Sequence, residues 1–193
     1  IEIFNSGDSA DVLVAFNAAA LKKNISRLKK RGILICNTSG FDKRNLRLAE
    51  YESTPLTEDL ASEYQVIEID ISKLTREALS EYKMSTKDKD RSKNMFVLGF
   101  IYWLYNRSMK HTIAFLEKKF AKKPQIAETN IKVLKTGYYY GDTVEAMPST
   151  FEVAPAKMSK GSYRTIMGNQ ATAYGLIAAA KQAKLDLFFG GYP

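Results

Sequence analysis

In Asp11-Val12-Leu13-Val14-Ala15-Phe16-Asn17, five uncharged, mostly apolar residues run together with a polar residue at each end. A strand buried on both faces of a parallel sheet reads this way. Working outward, Ala18 to Lys30 has helical character. Leu21, Ile25 and Leu28 fall on one face, and Lys22, Lys23, Lys29 and Lys30 fall elsewhere. Gly32 is placed to end that helix, because glycine enters a left-handed cap at little cost. Ile33-Leu34-Ile35-Cys36-Asn37 is a second apolar run of strand length. Strand, helix and strand predict a βαβ unit with a right-handed crossover. Ligands of open parallel sheets bind beyond the carboxyl ends of the strands. Asn17 and Asn37-Thr38-Ser39-Gly40 are therefore expected at a functional rim.

The chain has 193 residues, enough for one domain or for a domain and a piece of another. Its 45% apolar content supports a packed core. A formal net charge of +8 points to an anionic partner without choosing among nucleic acid, a phosphorylated cofactor and an acidic protein. Cys36 is the one cysteine, which excludes a disulfide framework and any multi-cysteine metal cluster within this chain. It is expected to be a small buried core residue in a reducing, cytoplasmic setting. No apolar run reaches the roughly 20 residues of a membrane helix, and no secretory signal is evident. Ile1-Glu2-Ile3-Phe4 alternates like the end of a strand before a turn at Asn5-Ser6-Gly7-Asp8. With no initiator Met and an abrupt end at Pro193, the chain reads as a fragment of a longer one.

Phe41 to Glu63 is polar, contains Pro55 and is expected to be a loop or irregular segment. Tyr64 to Asp70 alternates apolar and polar, as an edge strand of the same sheet would. Ser72 to Tyr82 predicts a helix with Leu74, Ala78, Leu79 and Tyr82 on one side. Lys83 to Lys93 reads as a charged, solvated loop, with an anion-attracting lip as the functional alternative. Asn94 to Tyr105 is apolar almost all round and predicts a central buried helix. Gly99 in its middle suggests close approach of another backbone. His111 opens a helix faced by Ile113, Leu116 and Phe120, and has no neighbours at metal-ligand spacing. Pro124 is suited to the first position of a further helix, with Ala127, Ile131 and Leu134 on one face and Gly137 as its cap. Residues 94 to 137 are thus a helical excursion. Tyr138-Tyr139-Tyr140-Gly141-Asp142 is expected to begin an extended connection, and residues 146–162 to be a linker. Beyond it, Gly168-Asn169-Gln170-Ala171 opens a helix of small residues that ends near Lys184. Asn169 is the expected N-cap, and the free amides there suit an anion. Leu185 to Phe189 reads as a strand.

Several blocks together carry a resemblance. They are Asp11 to Asn17, Lys93-Asn94-Met95-Phe96-Val97-Leu98-Gly99, Tyr102-Trp103-Leu104-Tyr105-Asn106-Arg107 and Phe120-Ala121-Lys122-Lys123-Pro124. These resemble the gamma-type domain of 2-oxoacid:ferredoxin oxidoreductases. Gly168-Asn169-Gln170-Ala171-Thr172-Ala173-Tyr174-Gly175 and Gly191-Tyr192-Pro193 resemble the start of that family's pyrimidine-side thiamine diphosphate domain. The resemblance implies an α/β fold: a mostly parallel sheet with helices on both faces, a helical excursion, and the start of a second α/β thiamine-binding domain. It implies a gamma-type domain over 1–145, the linker at 146–162 and the thiamine-side domain from 163 to 193. The order is similar to that of the alpha subunit of the 2-oxoglutarate-type enzymes. The implied activity is coenzyme A-dependent oxidative decarboxylation of a 2-oxoacid, with 2-oxoglutarate favoured and electrons passed to ferredoxin. Thiamine diphosphate supplies the carbanion chemistry. The implied partners are a beta subunit, which holds the iron–sulfur cluster and the diphosphate end of the cofactor, and ferredoxin; no nucleic acid and no membrane. Alone, the piece is expected to be inactive.

On that resemblance Gly168, Asn169, Gly191, Tyr192 and Pro193 are thiamine-side positions. On strand-end position alone Asn17, Asn37 and Ser39 are candidates for coenzyme A or domain contacts, with capping or turn formation as the structural alternative. No residue is named as a catalytic acid or base, and none as a metal ligand. Three departures from the family pattern stand out. The family's glycine-rich loop after its first strand lies upstream of this chain, and its Tyr-Pro motif continues with Thr-Pro beyond Pro193. Gln170 also stands where the family often has Glu. The competing reading is a basic nucleic-acid-binding or interaction module, suggested by charge and 11 tyrosines. Its basic residues are spread along the chain and its aromatics fall on buried helical faces. A dinucleotide-dependent dehydrogenase lacks its G-x-G-x-x-G at Asn17-Ala18-Ala19.

Overall fold

The computed structural model describes residues 7–143, 150–154 and 157–191. The expectations for Ile1 to Phe4, for Asn5 and Ser6, for Tyr192 and Pro193, and for parts of the linker lie outside those residues. Strands β1 (Ala10–Ala15), β2 (Leu28–Asn37) and β3 (Gln65–Ile69) form a three-stranded sheet in the order β1-β2-β3. Both pairings are parallel, with Val14 opposite Ile35 and Ile35 opposite Ile67. The chain divides into two units, one carrying β1 through α8 and a second carrying α9.

Alternation along the strands divides the core between the two faces of the sheet. Ile33 and Ile35, with Val12, Val14, Ile67 and Ile69, face one side. There they meet α4 (Ile71–Ala78), α6 (Lys93–Leu104) and α8 (Pro124–Thr143) through Ile71, Phe96, Phe100, Leu104 and Val133. Leu34 and Cys36, with Leu13, Ala15 and Val66, face the other. That side is closed by α1 (Ala18–Asn24) through Leu21 and by the segment from Phe41 to Tyr64. The doubly covered parallel sheet expected from the two apolar runs is therefore present. The strand buried on both faces is β2, however. β1 lies at the sheet edge, and Val12, Leu13 and Val14 are only half-buried.

The first helix is shorter than its periodicity suggested. It stops at Asn24, whose side-chain amide donates back to the Ala20 carbonyl at 2.8 Å. A 3-10 turn follows at Ile25–Arg27, and Leu28 already pairs with Ala10. The register then jumps, so that Val12 pairs with Ile33 and residues 29–32 bulge out of the ladder. Gly32 is not a helix cap. A Cβ there would lie 2.7 Å from both Leu28 Cδ1 and the Lys29 carbonyl oxygen, so the bulge closes only over a glycine. The left-handed residue is Arg31, at φ 61°.

Four further expectations are corrected. Phe41 to Glu63 contains two short helices, α2 (Lys43–Leu48), capped by the Asp42 carboxylate, and α3 (Glu58–Glu63). The charged stretch before α6 holds α5 (Thr86–Asp90), where Arg76 clamps Asp90 with two bonds of 2.7 Å. Gly137 does not end a helix, and Tyr138 to Asp142 is not extended, because α8 runs on to Thr143. Leu185 to Phe189 forms no strand among the described residues. Its apolar side chains have no ladder to join, and Phe188 and Phe189 stand exposed. α7 (Lys110–Lys119) and Pro124 at the start of α8 follow the sequence.

Gly99 does what its cost in a helix implied. A methyl at Gly99 would overlap the Leu134 carbonyl oxygen, and one at Gly137 would overlap the carbonyl oxygen of Phe96. α6 and α8 thus cross backbone on backbone, each contributing the glycine that admits the other. The 94–137 segment is in this way the cover of one sheet face.

Replacing Gly137 with Ala gains roughly 1 kcal/mol of helix propensity. It also forces apart two packed backbones, a change that costs about 1–3 kcal/mol or more. The expected net effect is a lower midpoint in urea denaturation. Gly175→Ala in α9 (Gly168–Ala183), where an added Cβ meets nothing within 4 Å, leaves the midpoint unchanged or raised. The Cys36 thiol is fully buried, and its pKa is pushed up to about 12 by desolvation and, secondarily, by Glu68. It is expected to resist a thiol-disulfide reagent at pH 8 in the native protein and to react fully once unfolded. Asp90 is held below the usual carboxylate range, first by its hydrogen bond to Arg76. A carboxyl depressed on folding stabilises above its unfolded pKa and loses that contribution as pH falls through its folded value. The stability gap between wild type and Asp90→Asn is therefore full at pH 7 and closes in acid denaturation series below about pH 4.

Candidate functional site: the rim of the sheet

The carboxyl ends of all three strands meet at one edge of the sheet. β1 leads into Phe16 and Asn17, β2 ends at Asn37, and β3 leads into Asp70. Asn17, Asn37 and Ser39 are brought together here, as their positions after the strands required.

Each is held by a defined partner. Asn17 adopts an extended backbone, and its Oδ1 accepts the Ala20 amide at 2.8 Å, capping α1. Asn37 is 2% exposed. Its Nδ2 donates to the Phe16 carbonyl and to Ser72 Oγ, each at 3.2 Å, and its Oδ1 accepts the Ser72 amide at 3.3 Å. One side chain therefore ties the end of β1 and the start of α4 to the end of β2. Ser39, in the 3-10 turn Thr38–Gly40, donates its hydroxyl to the Asp70 carboxylate. Asp70 in turn caps α4 by accepting the Lys73 amide at 3.0 Å. Gly40 lets this turn press on β1, since a Cβ there would lie 2.8 Å from Asn17 Cα.

The rim also holds residues that the strand-end reading passed over. Asp70 and Ser72 belong to it. Asp70 could have been found by the rule that marked Asn17 and Asn37, because it follows the third parallel strand. Lys93 at the start of α6 places its ammonium 5.4 Å from the Phe16 ring centroid, in cation–π range. No local sequence signal assigns Lys93 to the rim, since its place results from the packing of α6 on the sheet. The rim thus offers one ammonium, the Nδ2 of Asn17, and hydroxyl and carboxylate oxygens whose positions are fixed. Such a set has the donors to hold a polar or anionic group. Cys36, one residue before Asn37, is kept a protonated thiol by burial and supplies no nucleophile.

The thiamine-side positions lie in the second unit. Gly168 opens α9, and a Cβ on it would meet nothing within 4 Å. Asn169 is not the N-cap. That position is Met167, whose amide donates to Gln170 Oε1 at 3.4 Å. Gln170, at the third helical position, reaches back with its side-chain oxygen to satisfy the amide of that N-cap residue. The side chains of α9 are exposed apart from the half-buried Ala180, and Gly191 follows in an exposed segment without regular structure. The described residues of this unit form no enclosing wall around Gly168, Asn169 or Gly191, so no step through thiamine diphosphate is derived from them. Among the described residues no group of His, Cys, Asp and Glu is arranged to hold a metal ion, and no helix is long and apolar enough to cross a membrane.

The 2-oxoglutarate oxidoreductase subunit KorA of Mycobacterium tuberculosis is 45% identical over 192 residues, spanning 100% of this chain and 29% of that protein. The chain therefore spans less than a third of the length of that curated relative. Its fold is similar to part of the 2-oxoglutarate:ferredoxin oxidoreductase from Magnetococcus marinus, solved with 2-oxoglutarate, coenzyme A and succinyl-CoA bound. The TM-score is 0.59 at 22% identity, covering 81% of this chain and 24% of that one. Residues 2–140 match the family described as pyruvate ferredoxin/flavodoxin oxidoreductase. The stretch from β1 to α8, with the rim at its strand ends, is the part so matched, and the chain belongs to that family.

Proposed function

We propose that this chain is part of a 2-oxoacid:ferredoxin oxidoreductase, with 2-oxoglutarate as the favoured substrate. The observation that carries this reading is the 45% identity along the whole chain to a 2-oxoglutarate oxidoreductase subunit. Coenzyme A takes the acyl group, and thiamine diphosphate, when bound, supplies the electron sink for decarboxylation. The remaining parts are a beta subunit carrying the iron–sulfur cluster, and ferredoxin as the acceptor. The reading places the protein in the cytoplasm, consistent with one buried, unpaired thiol.

Within this enzyme the work of the present residues is binding and positioning. Asn37 fixes the strand ends, and Asp70 holds the Ser39 hydroxyl in one orientation. Asn17 Nδ2 and the Lys93 ammonium then supply donors to a polar group of coenzyme A or of a neighbouring domain. We assign Gly168, Asn169, Gly191, Tyr192 and Pro193 to the thiamine side of the second domain, on their likeness to the family's motifs. The domain limits 1–145, 146–162 and 163–193 belong to the same proposal. A nucleic-acid-binding module gains nothing from the structure. Phe96 and Phe100, which it would need as a stacking platform, are buried in the core.

The test is to purify the full-length protein with its partner subunit and assay coenzyme A-dependent ferredoxin reduction with individual 2-oxoacids. Reduction with 2-oxoglutarate, and little with pyruvate, is the expected result. No reduction with any 2-oxoacid, in a complex shown to contain thiamine diphosphate and cluster, would refute the reading. In the same complex, Asn17→Asp keeps the cap on α1 and removes the free donor. Loss of one hydrogen bond of about 0.5–1.5 kcal/mol corresponds to a rise of roughly 2–10-fold in KM for coenzyme A, with kcat little changed. An unchanged KM would remove Asn17 from the binding set.

A further inference from the structure

At the opposite end of the sheet from the rim lies a second cleft, of about 400 Å³, which the oxidoreductase reading does not use. Its floor is the amino-terminal end of the strands, at Val12, Ile33 and Gln65. One wall is aromatic, with the Tyr105 and Phe151 rings 5.6 Å apart and tilted by 33°. Phe151 is secured by its amide, which donates to the Leu104 carbonyl at 2.7 Å, yet its side chain remains 44% exposed. The other wall is the bulge Lys29-Lys30-Arg31-Gly32.

Charge and backbone at this bulge are unusual together. Lys29 is neutralised by Asp11 at 2.7 Å, which anchors the bulge to β1. Lys30 and Arg31 have no carboxylate partner among the described residues, so the cleft keeps two positive charges at its mouth. Arg31 sits at φ 61°, in the left-handed region that disfavours any side chain. Glu50, Asn106 and Lys184 share that conformation, but each sits at a helix end, where the left-handed turn terminates the helix. Arg31 terminates no helix and lies within a strand bulge. Glycine would hold the same backbone without strain; arginine instead places a guanidinium at the lining of the cleft.

We propose that this cleft binds a nucleotide, with a purine base on the aromatic wall and phosphate on Lys30 and Arg31. A volume of this size is within the range of small-ligand pockets. The half-exposed Phe151 ring offers a face for stacking, which is tolerant of base identity. Guanidinium and ammonium beside it match phosphate oxygens, the arginine in a two-pronged geometry. Gln65 and Asp11 also line the cleft and add polar groups for ribose hydroxyls. A bare phosphate would leave the aromatic wall unused, and an apolar ligand would leave both cations unmatched. The occupant meant is a free nucleoside polyphosphate such as ATP, distinct from the coenzyme A that the proposed function places at the rim.

The test is calorimetric titration of the full-length protein, in its complex, with ATP, first alone and then with coenzyme A at saturation. Saturable ATP binding that weakens with salt and persists with coenzyme A present is expected. Lys30→Ala with Arg31→Gly should raise the ATP Kd tenfold or more while raising the unfolding midpoint, because the glycine relieves the left-handed strain. Phe151→Leu should weaken ATP while leaving inorganic phosphate, used as a second probe, unaffected. The rim variant Asn17→Asp should leave ATP binding as it was. No ATP binding at millimolar concentration, or ATP binding abolished by coenzyme A, would overturn the proposal, as would binding that is indifferent to both the bulge and the Phe151 variants. Neither outcome bears on oxidoreductase activity, which is read separately by ferredoxin reduction.

Discussion

A single buried amide, the side chain of Asn37, ties together the carboxyl ends of the strands in this domain. Parallel strands end in backbone groups that no neighbouring strand completes, and burying such groups without partners is costly. Asn37 satisfies two of its neighbours at once, the Phe16 carbonyl after β1 and the Ser72 amide at the start of α4. An aspartate or an apolar residue of the same size could not serve both, because the site needs a donor and an acceptor on one planar group. The turn that follows adds the Ser39 to Asp70 bond and the close approach of Gly40 to β1. The rim is thus fixed before any ligand arrives, which lowers the ordering cost of binding.

Packing beneath the rim explains why it is placed so firmly. β2 is buried on both faces, and its alternate side chains feed two separate clusters. One cluster is closed by α6, which can lie close to α8 only because Gly99 and Gly137 face the partner backbone. Gly141 repeats the device further along, under the Trp103 ring. A helix that is apolar nearly all round needs cover on most sides. The sheet covers one side of α6 and α8 another, and the same packing brings Lys93 over Phe16 at the rim.

Much of this was legible in the order of residues. The two apolar runs announced parallel strands, Gly99 announced a backbone neighbour, and the polar residues after the strands marked the rim. What failed did so for physical reasons. Helical spacing at Leu21, Ile25 and Leu28 was real, but Leu28 is apolar because it starts a strand that buries into the same cluster as Leu21. Glycine was read as a cap at Gly32 and Gly137, where the fold uses its small size against a bulge and a crossing helix. A lone sequence does not distinguish the two uses, since each depends on a neighbour distant in the chain. Leu185 to Phe189 has strand composition, but a strand also requires a partner, and composition is silent on that.

Family membership and a rim whose polar groups are held by one another are what the proposed binding and positioning role rests on. The measurement that bears most directly on this view is amide hydrogen exchange at Ser72 in wild type and in Asn37→Ala. If the Asn37 side chain fixes the rim, the Ser72 amide is protected in wild type nearly as well as those of Leu34 and Ile35. In the variant it then exchanges rapidly while the strand amides stay slow. Rapid exchange at Ser72 in wild type, or protection unchanged by the substitution, would contradict it.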